Sequence, residues 1–274
     1  MTKKIGKFTG KRTCAVGDGG NDVPMILNAH IGLGIVGKEG KQASLASDFS
    51  ITEFKYLKKL VLWHGRLSYK RSSVLSQFVI HRGLIITVIQ AIFSVVFYFV
   101  SIPIYNGMLM MGYSTIYTSM PVFSLILDHD INEQACMKYP PLYKTLQKGR
   151  TLSARTFLVW VWKSVYQGAV IMLGSILCFN EPMANMVTIT FSTLIVIELL
   201  NVYSSVHHLK KGMILTMLCT FFIYVLSIAL MRSYFDVSYI TWQFCIRVLL
   251  LTAASWLPLH MLECILERCD PSEF

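Results

Sequence analysis

The sequence is poor in charged residues. Only 15% of its 274 residues are Asp, Glu, Lys or Arg, whereas 54% are apolar. Soluble domains carry about a quarter charged residues, so this deficit excludes an ordinary soluble globular protein and indicates that lipid surrounds much of the chain. The net charge of +10 does not point to nucleic acid, because 13 of the 25 Lys and Arg precede Phe78 and several others flank apolar runs.

The sequence also lacks two patterns, a paired-cysteine motif and a secretory leader. The seven cysteines contain no CxxC pair, which excludes a disulfide framework or zinc site and predicts reduced, mostly buried thiols. The N-terminal stretch is basic and glycine-rich, without the apolar segment and cleavage site of a secretory signal. The cysteines are Cys14, Cys136, Cys178, Cys219, Cys245, Cys264 and Cys269.

Long apolar runs dominate the chain after residue 77. Each of six runs reaches or approaches the roughly 20 residues that a membrane-spanning helix needs. The sequence therefore predicts a mostly α-helical, polytopic membrane protein. The predicted spans are 78–101, 107–127, 156–178, 184–206, 213–231 and 240–262.

The connections between these spans alternate in positive charge. The first and third connections contain no Lys or Arg, and the fifth has only Arg232. Because cytosolic loops are enriched in Lys and Arg, this alternation predicts that both termini lie in the cytosol, including a tail over 263–274. The cations of the second and fourth connections are Lys138, Lys144, Lys148, Arg150, Arg155, Lys210 and Lys211.

Residues 1–52 have the pattern of alternating strands and helices, which predicts a parallel sheet covered by helices. A segment of this length is too short for a complete domain of that kind, so we expect part of a larger α/β domain. Predicted strands are Arg12–Val16, Ile31–Ile35 and Phe49–Ile51, and predicted helices are Val23–Ala29 and Glu39–Ser47.

Glu53–Gln77 has helical periodicity with cations on its other faces. It is either a basic surface helix or a stalk that enters the membrane near anionic headgroups. Because it runs directly into the first apolar span, the stalk is favoured.

A glycine-rich acidic loop follows the first predicted strand. Asp18 and Asp22 stand four residues apart in the string GDGGND, at the strand end where parallel sheets bind ligands. Carboxylates suit Mg²⁺ that also binds a phosphate, although an ordinary turn has a similar composition.

The surroundings of this loop resemble a known family. Residues 14–26, CAVGDGGNDVPMI, closely resemble the hinge motif of P-type ATPases, which share a haloacid-dehalogenase-like phosphorylation domain. IGLGI, GKEGKQA, DFSI and HGRLSYKR look like the type-IV branch, the phospholipid flippases. FVIHRG, YSTIY and PVFSL are similar to the endosomal and Golgi subgroup, which is thought to act without an accessory subunit. These strings occupy 31–35, 37–43, 48–51, 64–71, 78–83, 113–117 and 121–125.

This resemblance implies a site and an activity. Asp18 would be a Mg²⁺ ligand beside the phosphorylated aspartate, and Asn21 and Asp22 would complete the site by hydrogen bonds to the phosphate and a neighbouring lysine. Residues 1–52 would be the C-terminal part of the phosphorylation domain, and the spans would be helices five to ten of ten. The implied activity is ATP-driven phospholipid translocation from the lumenal to the cytosolic leaflet, in endosomal or trans-Golgi membranes.

The sequence also departs from the family. It lacks the DKTGT string that carries the phosphorylated aspartate, and it has no counterpart of the nucleotide-binding domain, the actuator domain or helices one to four. We therefore expect this chain alone to be inactive and to be part of a longer pump. The alternative is a truncated, non-catalytic six-span protein that binds lipid or the complete pump.

Polar residues inside the predicted spans are candidates for the lipid path, because such residues are costly in hydrocarbon. In the family the headgroup groove runs beside the fourth to sixth helices. Arg82 stands where many flippases are similar in carrying a lysine, although it is equally compatible with an interfacial anchor. The hydroxyl side chains are alternatively bonded to backbone carbonyls within the bundle. The remaining candidates are Gln90, Asn106, Tyr113, Ser114, Tyr117 and Thr118.

Four further polar residues lie in the later spans: Lys163, Glu198, Asn201 and Arg247. We expect them to connect helices rather than to contact substrate. Lys163 is placed to snorkel toward the cytosolic face, and Glu198 is placed to pair with a cation across the bundle.

Overall fold

The computed structural model describes residues 2–37, 41–146, 152–178, 183–206, 210–230 and 242–269. The chain forms two compact units, Met1–Ser68 with Ile131–Thr145 and Tyr69–Asp130 with Leu146–Phe274. Several residues used in the sequence-based predictions lie outside the described ranges: Lys38, Glu39, Gly40, Lys148, Arg150 and Arg232.

The first unit contains a three-stranded parallel sheet, as predicted. Strands β1 (Cys14–Gly17), β2 (Ile31–Ile35) and β3 (Phe49–Ile51) lie side by side in that order. Both neighbouring pairs are parallel. The carboxyl ends of all three strands therefore lie at one edge of the sheet, where the loop that follows β1 begins.

Three short helices accompany the sheet. Helices α2 (Val23–Leu27) and α3 (Gln42–Ala46) are shorter than predicted, and α1 (Thr2–Thr9) was not predicted. The two glycines of β2 let helices pack closely on the sheet. A Cβ at Gly32 would lie 2.5 Å from Ile26 Cγ2, and one at Gly34 would lie 2.6 Å from Ser44 Cα.

The predicted stalk is helical and continues without a break into the first apolar run. It consists of α4 (Tyr56–Lys59), a π-helical segment (Leu60–Gly65) and α5 (Arg66–Val96). The predicted end at residue 101 is wrong. The helix stops at Val96 because Tyr98 and Phe99 adopt φ values of 56° and 59°, a left-handed conformation that cannot continue a right-handed helix.

Residues 131–145 form helical structure within the predicted connection between the second and third spans. They form α8 (Glu133–Lys138) and a 3₁₀ helix (Pro140–Thr145). Three cations of the stalk bind them. Lys59 Nζ pairs with Glu133 Oε1 at 2.6 Å, Lys58 Nζ donates to the carbonyl of Met137 and Arg66 Nη1 donates to that of Leu142.

Four long helices of the second unit match predicted spans. They are α9 (Ala154–Cys178), α10 (Met183–Ser205), α11 (Lys211–Leu230) and α12 (Trp242–Cys269). With the Tyr56–Val96 helix, the described residues include five helices long and apolar enough to cross a membrane. Helix α12 continues to Cys269, so the predicted tail over 263–274 begins as helix.

The second predicted span is not one regular helix. It is divided into α6 (Gly107–Gly112), a π-helical segment (Tyr113–Tyr117) and α7 (Ser119–Leu127). Pro121 explains the interruption, because it has no N–H to donate and its ring clashes with the carbonyl four residues earlier, that of Tyr117. The sixth membrane crossing therefore stays a prediction.

The core of the second unit surrounds Phe191 of α10, which is completely buried. Ile85 and Ile89 of α5 and Ile171 of α9 are equally buried in this cluster. Gly168 lets α9 approach α5, since a Cβ there would lie 3.0 Å from the carbonyl oxygen of Ile85. Small residues allow this close helix packing in membranes.

The expectation of mostly buried cysteines is wrong. Of the five cysteines whose side chains are described, only Cys136 is buried. Cys219 of α11 and Cys264 of α12 are exposed, on helices whose outer faces are apolar. A thiol can remain on such a face, because lipid tails are as apolar as a protein interior.

Candidate functional site

The acidic loop lies at the carboxyl edge of the parallel sheet. Strand β1 ends at Gly17, and a short 3₁₀ turn over Gly20–Asp22 leads into α2. The backbone N–H of Asp18 donates to Asp22 Oδ2 at 3.3 Å, and the N–H of Asp22 donates to the carbonyl of Gly19. The loop therefore orients the Asp22 carboxylate itself.

Gly17 makes room for that carboxylate. A Cβ at position 17 would lie 2.4 Å from Cβ of Asp22 and 2.8 Å from its Oδ2, distances that real contacts do not reach. Only glycine lets Asp22 pack against the end of the strand in this way. The sequence-predicted pair is thus brought together by the backbone of one tight loop.

Asp18 and Asn21 are exposed, and Asp22 is half-buried. In the described ranges no third His, Cys, Asp or Glu lies close enough to complete a protein-only metal site. Two carboxylates suit Mg²⁺, which commonly takes one or two carboxylates and fills its octahedron with water and phosphate oxygens. The donor set fits a magnesium ion shared with a phosphate group.

The membrane helices bring three other predicted residues together. Arg82 Nη1 of α5 donates to Thr118 Oγ1 at 2.5 Å, and Thr118 Oγ1 donates to the carbonyl of Tyr113 at 2.7 Å. The Tyr113 hydroxyl lies 3.1 Å from Glu198 Oε1 and 3.2 Å from the carbonyl of Arg82. Arg82 therefore bonds inside the helix bundle, which favours a role there over an interfacial anchor.

The other predicted residues are dispersed. The Gln90 amide holds the loop after α5, donating to the carbonyl of Ile102 and accepting from the N–H of Ile104. Asn106 and Ser114 are exposed, and the Tyr117 hydroxyl donates to Ser227 Oγ of α11 at 2.6 Å. These contacts give Gln90 and Tyr117 a clear structural use, while their lipid role stays a prediction.

Comparison with known proteins identifies the family. The family model described as "Phospholipid-translocating P-type ATPase C-terminal" matches residues 44–272. The chain belongs to the phospholipid-translocating P-type ATPases. This confirms the family inferred from the hinge motif and the later strings.

Curated relatives cover the whole chain. It is 50% identical over its full length to "Probable phospholipid-transporting ATPase IIB" of Bos taurus, spanning 24% of that protein. It is 50% identical to "Probable phospholipid-transporting ATPase tat-5" of Caenorhabditis elegans and 48% identical to "Phospholipid-transporting ATPase NEO1" of Saccharomyces cerevisiae. These alignments cover 96% and 98% of the chain, and 25% and 24% of the relatives. The chain thus spans about a quarter of the length of these P-type ATPases.

One buried network of this P-type ATPase chain was not predicted. His81 of α5 bonds through Nδ1 to Ser164 Oγ of α9 at 2.6 Å and through Nε2 to Asn201 Nδ2 of α10 at 3.0 Å. Ser164 donates its own proton to the carbonyl of Trp160, so Nδ1 of His81 carries the proton and Nε2 accepts. Asn201 and Gln167 complete the network with a pair of amide hydrogen bonds.

One expectation for the later spans is confirmed and one needs correction. Lys163 is only 6% exposed and pairs with Glu263 Oε1 of α12 at 3.1 Å, so it connects two helices as expected, and its extension toward the cytosolic face stays a prediction. Glu198 accepts from the Tyr113 hydroxyl, and no cation within ion-pair distance of it occurs in the described residues. Arg247 is half-buried in α12.

Proposed function

We propose that the complete protein carrying this chain uses ATP to move phospholipids from the lumenal to the cytosolic leaflet. The observation that carries this proposal is the oriented GDGGND loop at the edge of a parallel sheet, in a chain of the phospholipid-translocating family. The names of the relatives, which describe phospholipid-transporting ATPases, support the same activity.

In this proposal the loop serves phosphoryl transfer. Asp18, whose carboxylate is exposed, is the primary Mg²⁺ ligand, and Asp22 is held by the loop backbone to complete the ligand set. Asn21 donates its amide to the phosphate. When bound, Mg²⁺ neutralises charge on the phosphate, and the protein's task is to position groups around it.

Two contacts at the start of α5 support six membrane crossings with both termini in the cytosol. Arg71 Nε donates to the carbonyl of Asp128, which follows α7, and Lys70 pairs with Asp130 at 3.0 Å. Lys210, which precedes α11, reaches His129 at 3.4 Å. These contacts support a chain path that returns through Gly107–Leu127 to the end of the bundle at which it entered, with the second and fourth connections together there as cytosolic loops.

We further propose that phosphorylation events are relayed to the lipid path through the Glu53–Gln77 stalk, most of which lies in the continuous Tyr56–Val96 helix. Arg82, Tyr113 and Thr118 border that path in the proposal, with Gln90, Asn106, Ser114 and Tyr117 around them. We further propose action in endosomal or trans-Golgi membranes without an accessory subunit, on the strength of the subgroup strings at 78–83, 113–117 and 121–125.

The test is Mg²⁺-dependent ATP hydrolysis by the purified complete protein, measured with and without added phosphatidylethanolamine or phosphatidylserine. Asp18→Ala should lower the rate by about 100-fold or more, the usual cost of losing one group that stabilises the transferring phosphate. Glu53→Gln is the matched control, because it removes an exposed carboxylate of the same unit and should leave the rate unchanged.

Retained turnover in the Asp18→Ala protein would contradict the assigned role. Lipid binding by a product of only this chain's length, without any ATP hydrolysis, would instead support the truncated, non-catalytic alternative.

A further inference from the structure

We propose that Glu198 is a positioning residue that acts through Tyr113 to hold the interrupted Tyr113–Tyr117 segment, and so sets the pump's apparent affinity for phospholipid. This inference rests on the proposed function. It assigns a role to a buried carboxyl group that lies on a different helix from the lipid-path candidates.

The interruption itself needs support. In a π-helical segment the carbonyls accept from N–H groups five residues on instead of four, and in membrane helices Ser/Thr side chains and neighbouring helices help to stabilise such a break in the regular pattern. Thr118 Oγ1 supplies one such bond, to the carbonyl five residues earlier, that of Tyr113. Ser119 Oγ supplies another, to the carbonyl of Ser114 at 3.2 Å.

Side chains from other helices hold both ends of this segment. At its C-terminal end, Arg82 of α5 donates to Thr118. At its N-terminal end, the Tyr113 hydroxyl bonds to Glu198 of α10 at 3.1 Å. Between these ends Ser114, Thr115 and Ile116 are exposed, so the two fixed ends determine how the exposed part is presented. Irregular helical segments of this kind frequently mark functional sites.

The carboxyl group of Glu198 is not explained by a contribution to the stability of the fold. It is only 3% exposed, and its Oε2 has no hydrogen-bond partner in the described part of the chain. A carboxyl group inside a membrane bundle is costly, and an oxygen without a hydrogen-bond partner adds to that cost. The one described hydrogen-bond partner of Glu198 is Tyr113, at the end of the interrupted segment. We therefore assign Glu198 a role in holding that segment.

A second tyrosine of the same cluster offers a matched comparison. Tyr224 is also 3% exposed, packs against Phe191, and bonds through its hydroxyl to Ser192 of α10 at 2.6 Å. It belongs to α11 and lies outside the interrupted segment. Its ring contacts that of Tyr117 in the segment, with 5.4 Å between the centroids. Tyr224→Phe keeps this ring and removes a buried hydroxyl of equal kind.

The experiment measures lipid-stimulated ATP hydrolysis by the complete pump over a series of phosphatidylethanolamine or phosphatidylserine concentrations in mixed micelles. Tyr113→Phe and Glu198→Leu should each raise the lipid concentration for half-maximal stimulation by about three- to tenfold, the range for one lost hydrogen bond in this setting. The maximal rate should change less. Glu198→Gln keeps an oxygen acceptor for Tyr113 and should behave like the wild type, as should Tyr224→Phe.

The double variant Glu198→Leu with Tyr113→Phe decides whether the two residues act together. If Glu198 acts through Tyr113, the lipid concentration for half-maximal stimulation of the double variant is no higher than that of the more impaired single variant. Multiplied effects, an unchanged Tyr113→Phe protein, or a Glu198→Gln protein as impaired as Glu198→Leu would each overturn the inference. If Glu198→Leu does not fold, Glu198→Ala takes its place in the same single and double variants. A wild-type pump that no phospholipid stimulates would overturn the proposed function instead.

Discussion

The sheet unit and the membrane unit hold their polar residues in opposite ways. At the sheet edge, Asp18 and Asn21 are exposed, and Asp22 is oriented by the backbone of its own loop. In the bundle, His81 and Asn201 are completely buried and bond to side chains of other helices. Polar groups in the first region are therefore available to a ligand, whereas those in the second are occupied by one another.

The difference follows from the surroundings of each region. Water can solvate an exposed carboxylate at little cost, so the loop can leave Asp18 open. Inside the bundle each polar group without a partner is costly, so the network around His81 closes on itself. Glu198 departs from this rule, with one oxygen bonded and the other without a partner in the described residues, which is why it stands out there.

The largest expected effect on stability comes from a substitution in the buried network around His81. Asn201→Leu would leave Nε2 of His81 and the amide of Gln167 without their partners. We expect the free energy of unfolding to fall by about 2–4 kcal/mol, since removing one member of a buried network leaves the others unpaired. Thermal unfolding of the complete protein in detergent would measure this.

Ser205→Ala is the control for that substitution. It removes a half-buried hydroxyl of the same helix that bonds only to the carbonyl of Asn201 in the described structure, and should have a much smaller effect. Equal effects of the two substitutions would show that the network is no more critical than an ordinary helix hydroxyl.

Much of this architecture could be predicted from local pattern. The apolar runs predicted the bounds of α9, α10 and α11 to within a few residues. The alternation of strands and helices predicted the parallel sheet. The His81 network could not be predicted, because its partners lie 83 and 120 residues away along the chain. Helix α8 was missed because the stalk cations that contact its part of the chain lie far earlier in the sequence, where no local pattern shows them.

The interrupted segment had a local signal that was not used. Pro121 lies inside the predicted second span, and a proline in a helix removes a hydrogen bond and displaces the preceding turn. Which side chains stabilise the interruption could not be predicted, since Arg82 and Glu198 come from different helices. The acidic loop was found because its pair of carboxylates lies within one short string.

A smaller effect is expected at the sheet. Gly34→Val would place a side chain against Ser44 Cα and the carbonyl of Ala43, at 2.6 and 2.7 Å from its Cβ. Overpacking of this kind costs about 1–3 kcal/mol and should loosen α3 from β2. Amide hydrogen exchange of Gln42–Ala46 in the complete protein would report it.

Gly19→Ala is the matched control, because nothing lies within 4 Å of a Cβ at that position and its φ of −111° is open to any residue. Exchange in α3 that is unchanged by Gly34→Val would contradict the close packing of this helix on the sheet.

The smallest effect is expected where charges meet at the surface. Lys59→Met removes the pair with Glu133, in which both side chains are more than a third exposed. Such pairs contribute about 0.5 kcal/mol or less, so thermal unfolding should hardly change, and any change should vanish at high salt. If Lys59→Met lowered the free energy of unfolding as much as Asn201→Leu does, exposed and buried polar groups would not differ as described.

The most direct test of the account joins its two regions in one assay. The complete protein is reconstituted into vesicles containing fluorescent phosphatidylethanolamine or phosphatidylserine, and ATP-dependent movement of the lipid between leaflets is followed by chemical quenching. We predict that the wild type moves lipid toward the leaflet on the ATP side, that Glu53→Gln does the same, and that Asp18→Asn is indistinguishable from vesicles without protein. Transport by the Asp18→Asn protein at the wild-type rate would contradict the claim that the acidic loop drives the membrane helices.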